Sequence, residues 1–189
     1  TPISKSRSSM FWGTFDGNGH TISGIYINTD ADYQGLFGFL PAGDSVIIKN
    51  LGVVNSFIKG GEKVGGILGT GTIQNLNCYN TGTVISTGSR GVGGIFGTYN
   101  GASFEVSDCY YGGYLAGGIG GTSAKSCIQN CYNSGRVSGN TFGPIVAGTL
   151  AATIRCYYDK QICDNGVGNK YNDGLGICVC STRISCGNR

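Results

Sequence analysis

What most constrains the fold of this chain is that it repeats itself, because a fixed period changes how every other residue is read. Two short signatures alternate along it. The first is a glycine-framed apolar unit: Gly35-Leu36-Phe37-Gly38, Gly65-Gly66-Ile67-Leu68-Gly69, Gly93-Gly94-Ile95-Phe96-Gly97, Gly117-Gly118-Ile119-Gly120-Gly121 and a degenerate Gly143-Pro144-Ile145-Val146-Ala147-Gly148. Its leading apolar residues, Leu36, Ile67, Ile95, Ile119 and Ile145, lie 31, 28, 24 and 26 positions apart. The second signature sits between these units: Ile48 to Asn55, Ile73 to Asn80, Val106 to Tyr111, Ile128 to Asn133 and Ile154 to Tyr158. Aligning its copies makes Val53, Cys78, Cys109, Cys131 and Cys156 equivalent, at spacings of 25, 31, 22 and 25.

Each unit holds two or three short β-prone pieces, such as Thr83-Val84-Ile85-Ser86 and Gly135-Arg136-Val137-Ser138, separated by glycine or Asn-Gly turns. None holds the uninterrupted 3.6-residue periodicity of a helix. Short strands at a period of about 25 residues predict an all-β chain wound as a parallel β-solenoid of about six coils, climbing one strand spacing per turn. At about 4.8 Å per coil, the rod is roughly 30 Å long. Composition agrees: glycine supplies 36 of 189 residues and proline only 3, so the glycines serve an ordered fold rather than a disordered one. Charged residues make up 12%, too few for a helical protein laced with ion pairs.

The stretches FWGTFDGNGHTISGIYIN (11–28), GLFG (35–38), IIKNLGVVNSFI (47–58), VGGILG (64–69), LNCYNTGTV (76–84), VGGIFG (92–97), NCYNSGRVSG (130–139) and CYYDKQI (156–162) resemble the GLUG-motif repeat proteins of bacterial surfaces. The resemblance implies a right-handed β-solenoid in large secreted or wall-attached proteins, where the repeats are adhesive or spacer modules. It covers residues 11–162, leaving 1–10 as an N-terminal extension and 163–189 as a cysteine-rich cap or tail. An extracellular or cell-surface location follows from it.

The single histidine, His20, stands four residues after Asp16 in GTFDGNGHTISG. Acid–base work by this pair needs a third converging group. Asp16-Gly17 and Asn18-Gly19 instead supply the positive φ angles of a tight turn, and a turn opening the first coil is the expectation. The nine cysteines divide into two groups. Cys78, Cys109, Cys131 and Cys156, with Val53, are expected as a buried core column. Each of these cysteines is followed by a tyrosine, and alternation along a strand turns Tyr79, Tyr110, Tyr132 and Tyr157 to the other face, as a stabilising ladder or a sugar-binding surface. Cys163, Cys178, Cys180 and Cys186 are expected to form two disulfides stapling the tail, with zinc disfavoured because Cys178 and Cys180 are separated by one residue. Cys127 is unassigned.

No pair of the ten acids recurs at the coil period, so no catalytic carboxylate couple stacks on one face. Asp30 and Asp32 carry oxygen ligands but not a full calcium set. One histidine excludes HExxH, no GxSxG is present, and no glycine loop precedes Lys-Ser/Thr at phosphate-loop spacing. Scattered cations in slight excess give no nucleic-acid footprint, and no apolar run reaches the about 18 residues of a membrane span, so the segment is expected to be soluble. Thr1-Pro2-Ile3 reads as a processed or cut terminus rather than a translation start. The expectation is therefore a non-enzymatic surface module without cofactor or metal, in contact with a glycan or with a host or cell-surface protein. Two alternatives stand beside it: a subunit stacking end to end with its own copies into a fibre, and a polysaccharide-cleaving β-helix enzyme.

Overall fold

A computed structural model describes residues 1–41, 46–73, 77–98, 104–116, 118–122, 126–137, 145, 152–159 and 177–180; for 104–105, 114–116, 122, 126–127, 152–154, 159 and 177–180 the backbone alone is described. The chain is an all-β parallel solenoid of about four turns. Among the described residues its one helical piece is the 3-10 turn Arg7–Ser9, and no helix is long and apolar enough to cross a membrane.

Four faces carry most of the strands, with a short ladder of Val64–Gly65 and Val92–Gly93 between the third and fourth. The first carries Gly13–Asp16 and Val46–Lys49, and further up Phe104–Ser107, Ser126–Gln129 and Ala152–Ile154. The second is the longest, a seven-stranded sheet: Thr21–Ser23, Leu51–Val54, Cys78–Asn80, Tyr110–Tyr111, Tyr132–Asn133, Cys156–Asp159 and Ile177–Cys180. The third stacks Tyr26–Asn28, Phe57–Gly60, Thr83–Ser86, Tyr114–Ala116 and Arg136–Val137. The fourth stacks Phe37–Phe39, Leu68–Thr70, Phe96–Thr98 and Gly120–Thr122. Ile177–Cys180 belongs to the expected tail, yet it continues the second face by pairing with Cys156–Asp159. The rest of 163–189, with Cys163 and Cys186, lies outside the described residues.

The first and second faces meet at a polar corner. Asn50, Asp108, Asn130 and Arg155 turn the chain there with φ of 55°, 56°, 52° and 47°, the left-handed region that Asn and Asp tolerate best. Their side chains link neighbouring coils. Asn50 donates to Asp16 and Asn77 donates to Asn50, each at 3.0 Å, while Asn130 donates to Asp108 at 3.0 Å and Arg155 to Asn130 at 2.7 Å. The sequence steps between these partners are 34, 27, 22 and 25, so coil length varies while strand register is kept. In the first coil this corner runs through Gly17 to His20, whereas Asn50 alone joins Val46–Lys49 to Leu51–Val54.

The core fills from ladders. Leu36, Ile67, Ile95, Ile119 and Ile145, the apolar residues of the glycine-framed units, are buried in one column, with Ile67 N–H donating to Ile95 C=O at 3.0 Å and Ile95 N–H to Ile119 C=O at 2.9 Å. Ile27, Ile58 and Val84 stack in register from the third face. Phe37, Leu68, Phe96 and Gly120 stack from the fourth, where the Phe96 ring fills the space that a Cβ at Gly120 would need. Burial of such side chains contributes about 1.5–3 kcal/mol each and supplies most of the driving force.

Residues 1–10 are fastened to this body. Ile3 bridges Phe37, Gly38 N–H donates to Ile3 C=O at 2.9 Å, Phe39 N–H donates to Ser4 C=O at 2.7 Å, and the Ser4 hydroxyl donates back to Phe39 C=O. Phe11 then enters the core, its ring 5.4 Å from Phe37 and 6.5 Å from Phe15.

Candidate functional site

The second face concentrates the residues that the sequence singles out, because a strand alternates sides and stacking aligns equals. Tyr79, Tyr110, Tyr132 and Tyr157 are neighbours in register, with Gly52 and Thr21 beneath them. All four tyrosines are half-buried on the outer side. Tyr110 and Tyr132 stack at 5.7 Å and 14° between planes. The Tyr79 ring lies across Gly52 and the Tyr110 ring across Gly112, each where a Cβ would otherwise stand. The Tyr110 hydroxyl shares a 2.7 Å hydrogen bond with the Ser134 hydroxyl. The row therefore spends much of its aromatic surface on itself and on glycine.

The inner side of the same strands carries two columns. In the first, Cys78 stands opposite Leu51, and Cys109, Cys131 and Cys156 follow in the positions before Tyr110, Tyr132 and Tyr157. Val53 is not a member of this column, contrary to the alignment of the repeats: it pairs with Asn80, two positions further on. Two residues is one full strand repeat, so the slip keeps the same side and burial pattern and changes only the partner. Cys78, Cys109, Cys131 and Cys156 are buried thiols. They donate to carbonyl oxygens: Cys109 to Ser107 at 3.2 Å, Cys131 to Gln129 at 3.1 Å and Cys156 to Ile128 at 3.2 Å. Burial pushes the Cys78 thiol up to about 12, and the hydrogen bond with Cys109 raises that of Cys131. Cys78 and Cys131 therefore hold their protons, which makes them poor nucleophiles and poor metal ligands.

The second inner column is Ile22, Val53, Asn80, Tyr111, Asn133 and Tyr158. Sequence reasoning missed it, since Asn and Tyr ordinarily face water. Asn80 is wholly buried, its amide donating to Gly94 C=O and accepting from Gly82 N–H, both at 2.7 Å. Asn133 accepts from Gly135 N–H at 2.7 Å in the same way. The signal was present as Asn-x-Gly in Asn80-Thr81-Gly82 and Asn133-Ser134-Gly135. Tyr111 is wholly buried, its ring wedged against Gly94, Gly113 and Gly135, which have no Cβ to obstruct it. Its hydroxyl has no hydrogen-bond partner among the described residues, and burial raises its pKa.

The other candidates resolve into structural roles. Asp16 accepts from Asn18 N–H at 2.9 Å and from the Asn50 amide at 3.0 Å, and pairs with Lys49 at 3.2 Å; these bonds, Asn50 first, hold its carboxyl below the usual range. Asn18 and Gly19 have φ of 49° and 78°, and His20 N–H closes the turn on Gly17 C=O at 2.8 Å. Asp32 accepts from Glu62 N–H at 2.8 Å and Asp30 pairs with Lys59 at 3.4 Å, so both tie the first coil to the second. Among the described residues no three His, Cys, Asp or Glu side chains converge on a point where a metal would sit.

No family model matches the chain, and no solved structure matches it. Over 91 residues, 47% of this chain, it is 43% identical to Halomucin of Haloquadratum walsbyi (strain DSM 16790 / HBSQ001). That stretch is 1% of Halomucin's length, so the chain spans a very small part of the relative it matches.

Proposed function

We propose that the chain is a non-enzymatic extracellular repeat module of a cell surface, a stiff spacer that also carries contact sites. The observation that carries this reading is the likeness to a short stretch of a very much longer protein whose name marks it as a mucin. The described side chains support it: on the second face they are committed to stacking, corner bonds and core filling, which is what a rod needs to hold its length. Surface exposure is tested on intact cells of the source organism by labelling with a membrane-impermeant amine reagent. Labelling without lysis is expected, and labelling only after lysis would overturn the reading.

One observation favours a second reading, assembly end to end into a fibre. Gly13–Asp16, Thr21–Ser23 and Tyr26–Asn28 each stand at the end of their sheets, with no strand beyond them among the described residues. Such edges invite another strand. Filaments growing with protein concentration in negative-stain images are the expected sign, and a uniform population of single rods at high concentration would sink this reading.

A further inference from the structure

Away from the tyrosine row, the N-terminal segment and the fourth face enclose a cleft of about 390 Å³, lined by Arg7, Met10, Trp12, Tyr33, Phe39 and Lys63 among others. Its volume falls at the small end of the range for ligand pockets, about 300–1,000 Å³. Arg7, in the 3-10 turn Arg7–Ser9, and Trp12 are the N-terminal segment's cation and indole in that lining. The Trp12 ring is 58% exposed, unlike the aromatic rings that fill the core. The Arg7 guanidinium lies 5.5 Å from the centre of the Phe39 ring, and the Lys63 ammonium lies 4.9 Å from the centre of Tyr33. Two cations thus face one aromatic cleft, and neither has a carboxylate partner among the described residues. Asp44 lies outside those residues.

A second observation marks the same place. Tyr33 and Lys63 occupy equivalent corner positions, since Tyr33 N–H donates to Glu62 C=O and Lys63 N–H to Arg90 C=O. Their φ angles are 61° and 60°, and the next coil puts Gly91 there at 67°. Glycine takes that conformation freely, whereas bulky side chains meet steric resistance, and strain of this kind concentrates where a side chain serves a purpose. At this corner the two side chains that bear the strain are the aromatic and the cation of the cleft.

We infer that this cleft binds an acidic sugar, a pyranose bearing a carboxylate or a sulfate ester. The exposed Trp12 ring offers a flat apolar surface to the C–H face of the sugar, while Arg7 and Lys63, held by the rings beneath them, pair with the anionic group. An acidic peptide fits less well. The outer edge of Phe37–Phe39, on which an extended peptide would add as a strand, is already taken by Ile3 and Ser4. The inference deepens the contact-site part of the surface-module reading and rests on it only for where such a sugar is met.

Trp12 is the only tryptophan in the chain, so its emission reports this cleft directly. Tetragalacturonate titrated into the purified chain should change that emission saturably, as should a sulfated tetrasaccharide, and the ratio of their affinities tells which acid group is preferred. Cellotetraose and tetraglutamate should bind at least about tenfold more weakly, and Arg7→Gln and Lys63→Gln should each weaken binding by about threefold to tenfold. Circular dichroism of these variants should match the wild type. No saturable change with either acidic saccharide, or tetraglutamate binding as tightly as they do, would overturn the inference. Those failures leave the rod and its surface exposure standing, while labelling only after lysis would overturn the surface reading and leave the binding result intact.

Discussion

Tyr110 and Tyr111 are neighbours of identical chemistry with opposite fates. Tyr110 lies half-exposed on the outer row, stacked on Tyr132 and bonded to Ser134, whereas Tyr111 is wholly buried among glycines, its hydroxyl without a partner among the described residues. The difference is made by strand alternation alone, and it shows that glycine here is a space reserved for a neighbour's ring rather than only a flexible joint. The outer tyrosine can be replaced by anything that stacks; the inner one is matched to its cradle in shape and mismatched in polarity.

The two side chains differ most in what their truncation removes. Tyr111→Ala should lower the unfolding free energy by about 3–5 kcal/mol, read by urea denaturation, because it leaves a large cavity that rigid neighbours cannot close. A loss below about 1 kcal/mol would show that the inner column is not where stability resides. Tyr111→Phe keeps the shape and removes the orphan hydroxyl, so it should stabilise the fold by about 1–2 kcal/mol. Destabilisation instead would mean that the hydroxyl is satisfied in solution. Tyr110→Ala, on the outer side, should cost only about 0.5–1.5 kcal/mol.

The smallest effect concerns the cysteine column and pH. Burial pushes the Cys78 thiol up to about 12 in the fold, above the range of an ordinary exposed thiol. An acid whose folded pKa is raised contributes stability that is fully present below the unfolded value and is lost as pH rises through the folded one. Stability should therefore fall from about pH 9 upward, by on the order of 1 kcal/mol at pH 9.5, and Cys78→Val should flatten that part of the profile. Equal slopes for the two proteins between pH 8.5 and 9.5 would remove Cys78 as a cause.

Much of the second face was legible in the sequence. The cysteines and tyrosines recur at fixed places in a repeated motif, and alternation then assigns their sides without further information. Partnership was less legible. Val53 and Leu51 are both buried and both aliphatic, and nothing in composition distinguishes a match from a slip of one strand repeat. The inner Asn and Tyr column was hidden for another reason: whether a polar side chain is buried depends on hydrogen bonds with backbone that is distant in sequence, such as the one the Asn80 amide donates to Gly94 C=O. The aromatic and cationic cleft was invisible because it joins residues 7, 12, 33 and 63, which no motif links and which only the return of the N-terminal segment brings together.

The polar corner has a consequence for symmetry. A carboxylate only accepts hydrogen bonds, so Asp16 obliges Asn50 to present its amide nitrogen downward, which turns its oxygen up toward Asn77. Asp108 does the same to Asn130, whose oxygen meets Arg155, a group that only donates. Each run is thereby written in one direction, like an arrow along the axis. Two such rods meeting with opposed arrows would set acceptor against acceptor at their lower ends or donor against donor at their upper ends, so any joint between them that continues the corner must be polar and open-ended, never a closed twofold pair.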